Sequence, residues 1–267
     1  MQITLLTITM MQHMNEENDP GIDVYKRQVV YLKSAVNLGF SGGNNLGVKY
    51  AIEHGADYVL LLNNDTVVEP DFVEKLVDAA DRHRDAGILT GKIIYYSKPD
   101  YLWYAGGYMN LDKAKIHHYH IREKDFNDTI EKSVTFATGC LMMIPRAIIN
   151  KFGCFDDIFF MYSEDAEFCS RILKNGYKIW YIPTAKIYHK VSASSGGAGS
   201  KLSQYYRTRN EMYLVAHCAN HKILGICCCM VRFIKRIIVG QFEIKYVYYG
   251  LTDLMARRMG RTNRKLK

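Results

Sequence analysis

The sequence predicts an α/β fold, a mostly parallel sheet flanked by helices, with a helical extension at its C-terminal end. Three observations carry this. Tyr58–Leu62 is an unbroken apolar run, too short for a typical helix, that ends directly in Asn63, Asn64 and Asp65. A parallel strand reads this way when both of its faces are covered. Strand-like runs then alternate with helical spacing, first in Phe72, Val73, Leu76, Val77 and Ala80 behind Pro70. Beyond residue 203, two stretches (204–219 and 223–239) mix apolar and basic residues in helical patterns.

Composition sets outer bounds. The 267 residues suit one large domain or a domain with an appendage, and 48% hydrophobic content is ample for a core. The seven cysteines are odd in number, lack a CxxC pair and include three in a row, Cys227 to Cys229. Neither a disulfide framework nor a zinc site follows, and a reducing cytosol is the expected home. The net charge of +8 is uneven: from Lys201 onward 14 Lys and Arg face three acidic residues, giving +11 and leaving −3 on the rest. A basic extension on a mildly acidic body points to an anionic partner, a membrane surface or nucleic acid. The uncharged stretches 212–221 and 223–231 are too short to cross a bilayer. The first fifteen residues lack the basic start of a signal peptide.

Taken in order, residues 1–28 show no joining periodicity: 1–11 is strand-like and 15–23 is polar turn material. A short strand is expected at 29–32. The stretch 37–47, Asn-Leu-Gly-Phe-Ser-Gly-Gly-Asn-Asn-Leu-Gly, reads as a glycine-rich loop opening a helix through Ala51 and Ile52. It fits neither a Walker motif nor G-x-G-x-x-G. Strands are expected at 87–96 and 101–105. The polar segment 112–128 holds His117, His118 and His120 and reads as an exposed variable loop rather than a metal cluster. A strand follows at 134–144 with Thr138, Gly139 and Cys140 inside it; glycine there marks a close approach. Pro145 opens a short helix. Ser163 precedes Glu164, Asp165 and Glu167 as an N-cap before acids in a first helical turn, which by itself is ordinary capping. Two strands are expected at 177–182 and 185–189, a mobile Ser/Gly-rich loop at 191–203, and a frayed basic end at 257–267.

Three of these segments resemble one family. The 37–47 stretch is similar to the Asn-x-Gly-Phe-x-x-Gly-x-Asn-x-Gly motif of family-2 inverting glycosyltransferases. Asn63-Asn64-Asp65 resembles their D-x-D-type motif in its rhamnosyltransferase-like form. Phe160-Met-Tyr-Ser-Glu-Asp-Ala-Glu-Phe-Cys-Ser-Arg171 resembles their Glu-Asp-x-Asp-x-x-x-Arg block. The likeness runs from about residue 29 to residue 210, with order and spacing matching as well as residue type.

The resemblance implies a GT-A-like (Rossmann-like) domain over 29–203, with 1–28 unassigned as a possibly non-native start and 204–267 as a basic helical tail. Asp165 would be the catalytic base, with Glu164 the neighbour most easily confused with it. Asp65 and His189 would hold Mg²⁺ or Mn²⁺. Asn37, Gly39, Phe40, Gly43, Asn45, Asn63, Asn64 and Gly139 would contact the nucleotide-sugar donor, dTDP- or UDP-linked. The acceptor would be a glycan or lipid-linked hydroxyl, met in the cytoplasm or peripherally on the inner membrane face. An inverting displacement needs one base and a stabilised diphosphate, and no nucleophile triad is present.

One departure stands out: residues 1–28 lack the strand–helix–strand unit with which such domains begin. The alternative reading is therefore a truncated, non-catalytic nucleotide-sugar-binding or nucleic-acid-binding protein. No RNA-binding aromatic motif or zinc finger supports nucleic acid as the partner, and retention of both Asp65 and Asp165 favours the enzyme.

Overall fold

A computed structural model describes residues 7–11 (backbone only), 30, 32–191, 199–264 and 266. Its elements run β1 (Thr7–Met11), α1 (Gly39–Glu53), β2 (Tyr58–Leu62), β3 (Thr66–Val68), α2 (Phe72–Arg82), β4 (Ala86–Tyr95), β5 (Lys98–Tyr104), β6 (Gly107–Asn110), β7 (Lys115–His118), β8 (Lys132–Val134), β9 (Leu141–Pro145), α3 (Arg146–Phe152), α4 (Glu164–Lys174), β10 (Lys178–His189), α5 (Lys201–Cys218), α6 (Lys222–Ile238) and α7 (Ile244–Met255). The main sheet has the order β1-β2-β9-β4-β10-β3, with β5 on β4 and β8 on β10, while β6 and β7 form a separate pair.

The α/β class is as expected, but the sheet is mixed rather than mostly parallel. Among the described strands only β4 and β10 pair in parallel. The cause is β9, which enters between β2 and β4 and runs against both. Antiparallel neighbours need no long crossover, so short returns can fill the sheet. β2, β4 and β10 consequently point the same way. Their carboxyl ends share one edge with the start of β9: Leu62 lies opposite Leu141, and His189 lies beside both Tyr95 and Thr66. Below that edge the strands are dry, with Leu61, Ile93, Leu141 and Ile187 fully buried. α2 and α4 pack on β4 and β10, and α1 packs on β2.

Other differences have local reasons. The 37–47 stretch is helix from Gly39 onward, not a loop, because Gly39 alone takes a positive φ of 71° and the rest is ordinary α-helix. Val30 and Leu32 lie outside any strand, and the rest of that expected strand falls outside the described residues. The 134–144 run is two strands, β8 and β9, separated by residues 135–140 and paired to different neighbours. The 177–182 and 185–189 runs are one strand, β10, bulged at Pro183–Ala185. The 112–128 segment contains β7, and His118 is partly buried, so it is not wholly an exposed loop. Residues 192–198 of the Ser/Gly-rich stretch lie outside the described residues, and α5 already begins at Lys201, capped by Ser200 Oγ accepting from Ser203 N at 3.2 Å. Most of 1–28 also lies outside them, apart from the β1 backbone, which pairs antiparallel with β2.

The 257–267 end is not frayed through 264. Arg209 is fully buried and donates to the carbonyls of Arg258 (3.1 Å) and Gly260 (2.8 Å). Gly260 N donates to Ile158 O at 2.9 Å. A guanidinium carries five donors, and burial obliges it to find acceptors for them.

Candidate active site

Two acidic centres stand on the shared strand edge. The first joins β2 to β10. Asp65 follows the Asn63-Asn64 turn at the end of β2, and β3 returns from it antiparallel to β10, so register places His189 beside it. His189 Nε2 lies 3.1 Å from Asp65 Oδ1, and Lys190 N donates to Asp65 O at 2.9 Å. Burial lowers the His189 pKa, against the opposing pull of Asp65, so the ring is neutral at pH 7. Trp103 meets His189 edge-on at 4.7 Å, and its other neighbour His118 is pushed down to about 4 by burial.

The second centre is the first turn of α4. Asp165 Oδ1 accepts from Ala166 N at 2.8 Å and its Oδ2 from Gly139 N at 3.2 Å. Burial pushes Asp165 up to about 6 despite these bonds. Glu164 is buried more deeply, at 5% exposure, and its Oε2 has no partner among the described residues. Burial, with the charge of Asp165 second, raises its pKa well above the usual carboxylate range. The Gly139–Cys140 segment joins the two centres: Gly139 N bonds Asp165, and Cys140 O accepts from Asn63 N at 3.1 Å.

The loop before α4 is held under strain. Tyr162 and Ser163 both take left-handed backbone, with φ of 67° and 76°, an unfavourable region for side-chain-bearing residues that recurs at functional sites. Ser163, expected as a side-chain cap, makes no capping bond in that conformation. Asn210, fully buried on α5, holds the loop by donating to the carbonyls of Met161 (2.8 Å) and Tyr162 (2.9 Å). The 37–47 stretch meets the same loop from the other side. Phe40 N donates to Phe160 O at 2.8 Å, and a Cβ on Gly39 would fall 2.1 Å from that oxygen.

Of the expected donor contacts, Phe40, Asn63 and Gly139 gather around the joining segment; a Cβ on Gly139 would meet the Phe40 ring at 3.0 Å. Asn45 is turned to protein, donating to Phe155 O and Asp157 Oδ1, both at 2.7 Å. Asn37 Oδ1 accepts from Gly39 N at 2.9 Å, Gly43 is buried in α1, and Asn64 is exposed at the turn. Glu167 and Arg171 form a pair that ties α4 to Phe152 O and Cys154 O rather than entering the site.

Among the described residues no group of three His, Cys, Asp or Glu converges as a metal cage. Asp65 and His189 nonetheless fit a divalent ion held in part by its substrate. They offer one hard oxygen and one neutral imidazole nitrogen, leaving further positions to phosphate oxygens and water.

Residues 58–232 match the family described as glycosyl transferase family group 2. The chain is 26% identical to the dTDP-rhamnosyl transferase RfbF of Shigella flexneri, over 67% of this chain and 60% of that protein. It is 25% identical to the N-acetylglucosaminyl-diphospho-decaprenol L-rhamnosyltransferase of Mycobacterium tuberculosis (strain ATCC 25618 / H37Rv), over 62% of this chain and 60% of that protein. The chain thus spans about three-fifths of the length of these curated relatives. The crystal structure of GalNAc-T7 with UDP, GalNAc and Mn²⁺ shares the GT-A fold, at a TM-score of 0.50 and 13% identity, over 77% of this chain and 45% of the other.

Proposed function

The chain belongs to glycosyl transferase family group 2, and from that premise we propose that it moves a hexose-type sugar from a nucleotide-sugar to an acceptor hydroxyl with inversion. The observation that carries this reading is the pair of acidic centres on either side of Gly139–Cys140. One suits a diphosphate and the other a proton. Asp165, raised to about 6, is largely ionised at neutral pH yet basic enough to accept a proton, the compromise a general base requires. It takes the proton of the acceptor hydroxyl as that oxygen bonds to the anomeric carbon and the bond to the diphosphate breaks. Glu164, whose carboxyl burial raises well above the usual range, is the less suited of the two to carry the negative charge of a base. Asp65 and His189 would hold a Mg²⁺ or Mn²⁺, whose charge offsets that of the departing diphosphate.

The relatives' names favour dTDP-rhamnose as donor and a lipid-linked glycan as acceptor. That acceptor sets the work at the inner face of the cytoplasmic membrane, in the synthesis of cell-surface polysaccharide. The donor- and base-bearing part, 29–203, would be served by the helical tail 204–267. Donor turnover screened over dTDP-rhamnose, UDP-galactofuranose, UDP-glucose and UDP-N-acetylhexosamines with Mn²⁺ tests the reading. Release of nucleoside diphosphate from one donor is expected. Binding without turnover of any donor would return the chain to the non-catalytic alternative.

A further inference from the structure

α6 is apolar on two opposite faces. Its inner face is spent: Gly225, Cys229 and Phe233 are buried, and Arg232 and Arg236 turn inward to share Glu211 on α5, at 2.8 and 3.1 Å. Its outer face carries Ile223 (80% exposed), Leu224 (51%), Val231 (66%), Ile234 (53%) and Ile238 (78%). At 3.6 residues per turn these fall on one stripe about 100° wide running the length of the helix. A helix apolar all round is ordinarily buried, and large exposed apolar stripes mark an interaction face. α7 repeats the pattern with Ile244, Tyr248 and Met255.

The exposed charge of the helical extension identifies its occupant. Of the three acidic residues after Lys201, Glu211 and Asp253 are consumed by arginine pairs, and Glu243 alone is exposed. Lys222, Lys235, Lys245, Arg257 and Arg261 are exposed. Lys235 flanks the stripe on α6, and an apolar stripe on an extension whose exposed charges are mostly cationic complements a surface with an anionic skin over an apolar interior. No described helix is long and apolar enough to cross a membrane.

We propose that the outer face of α6 lies in the interface of an anionic lipid bilayer and docks the protein there. The inference deepens the reading of a lipid-linked acceptor and rests on that reading only for the choice of membrane side. Flotation of the full chain with phosphatidylcholine vesicles, with and without roughly one-third phosphatidylglycerol, tests it. Binding to the anionic vesicles is expected, falling at about 1 M salt, where the Debye length is about 3 Å. The triple variant Val231→Glu, Ile234→Glu, Ile238→Glu changes only exposed positions. It should keep the wild-type circular dichroism and fall to the binding seen with neutral vesicles. Equal binding by the folded variant, no binding by the wild type, or a concentration-dependent dimer abolished by the same substitutions would overturn the proposal. Flotation uses neither donor nor acceptor, so its failure leaves the transfer reading standing, and absent turnover with lipid binding intact does the reverse.

Discussion

The two acidic centres lie on either side of one short peptide segment, yet burial acts on an imidazole in one and on carboxyl groups in the other. Asp65 sits in the turn between β2 and β3, and burial lowers the pKa of its partner His189. Asp165 and Glu164 begin a helix, where the backbone dipole favours anions, yet both are raised. Magnitudes decide the second case. A helix N-terminus is worth about 0.3–1 kcal/mol to an exposed anion, whereas burial moves a carboxyl by up to about 3–5 units at about 1.4 kcal/mol each. Position in a helix therefore does not fix the charge of an acid; the water it retains does. One centre is suited to binding charge and the other to holding a proton.

The sharpest way to break this division is Asp165→Asn. Turnover should fall by about 10²-fold or more, the usual scale for a positioned base, with nucleotide binding nearly unchanged. In the wild type kcat/KM should drop as pH falls through about 6, because protonation removes the base. An unchanged acid limb in any residual activity of the variant would assign that titration to another group.

Asp65→Ala should act on the other side of the division. Metal-dependent affinity for UDP or dTDP should weaken by about tenfold or more, since even supporting residues of metal sites cost 10–100-fold. Calorimetry with and without Mn²⁺ measures this, and equal metal-dependent affinity in both proteins would remove Asp65 from the ligand set.

Glu164→Gln should have the smallest effect on rate and a telling effect on stability. The folded protein holds the Glu164 proton at pH values where the unfolded chain releases it, so this group makes stability fall as pH rises above about 4.5. Glutamine has no proton to lose. The Tm of the variant relative to wild type should therefore rise between pH 5 and pH 8. A constant difference would mean that Glu164 ionises normally, and a rate loss exceeding that of Asp165→Asn would reverse the two roles.

Much of this was legible in the residues. The apolar run Tyr58–Leu62 and its polar stop mark a buried strand and its lip, and the family resemblance singles out the segments that hold both acidic centres. What escaped depends on pairing across the fold. The split between β8 and β9 is invisible because apolar content continues through 134–144 while the hydrogen-bond partners change. α7 did not separate from the basic tail. Arg209 and Asn210 fall in the expected 204–219 helical stretch, and nothing in their types shows that both are fully buried. The +11 of the tail is likewise a formal count: Arg207, Arg232 and Arg236 share Glu211, and Arg258 and Arg264 share Asp253.

Burial of Arg209 makes residues 258–260 part of the same folding unit as the candidate site. Its guanidinium draws on the carbonyls of Arg258 and Gly260, while the adjacent Asn210 grips the left-handed loop that presents Asp165. A buried donor deprived of its acceptor costs more than the bond itself contributed. Opening residues 257–262 therefore loosens α5 and the loop together, and the backbone amides of the tail, of α5 and of the first turn of α4 should gain and lose protection from solvent exchange as one cooperative block.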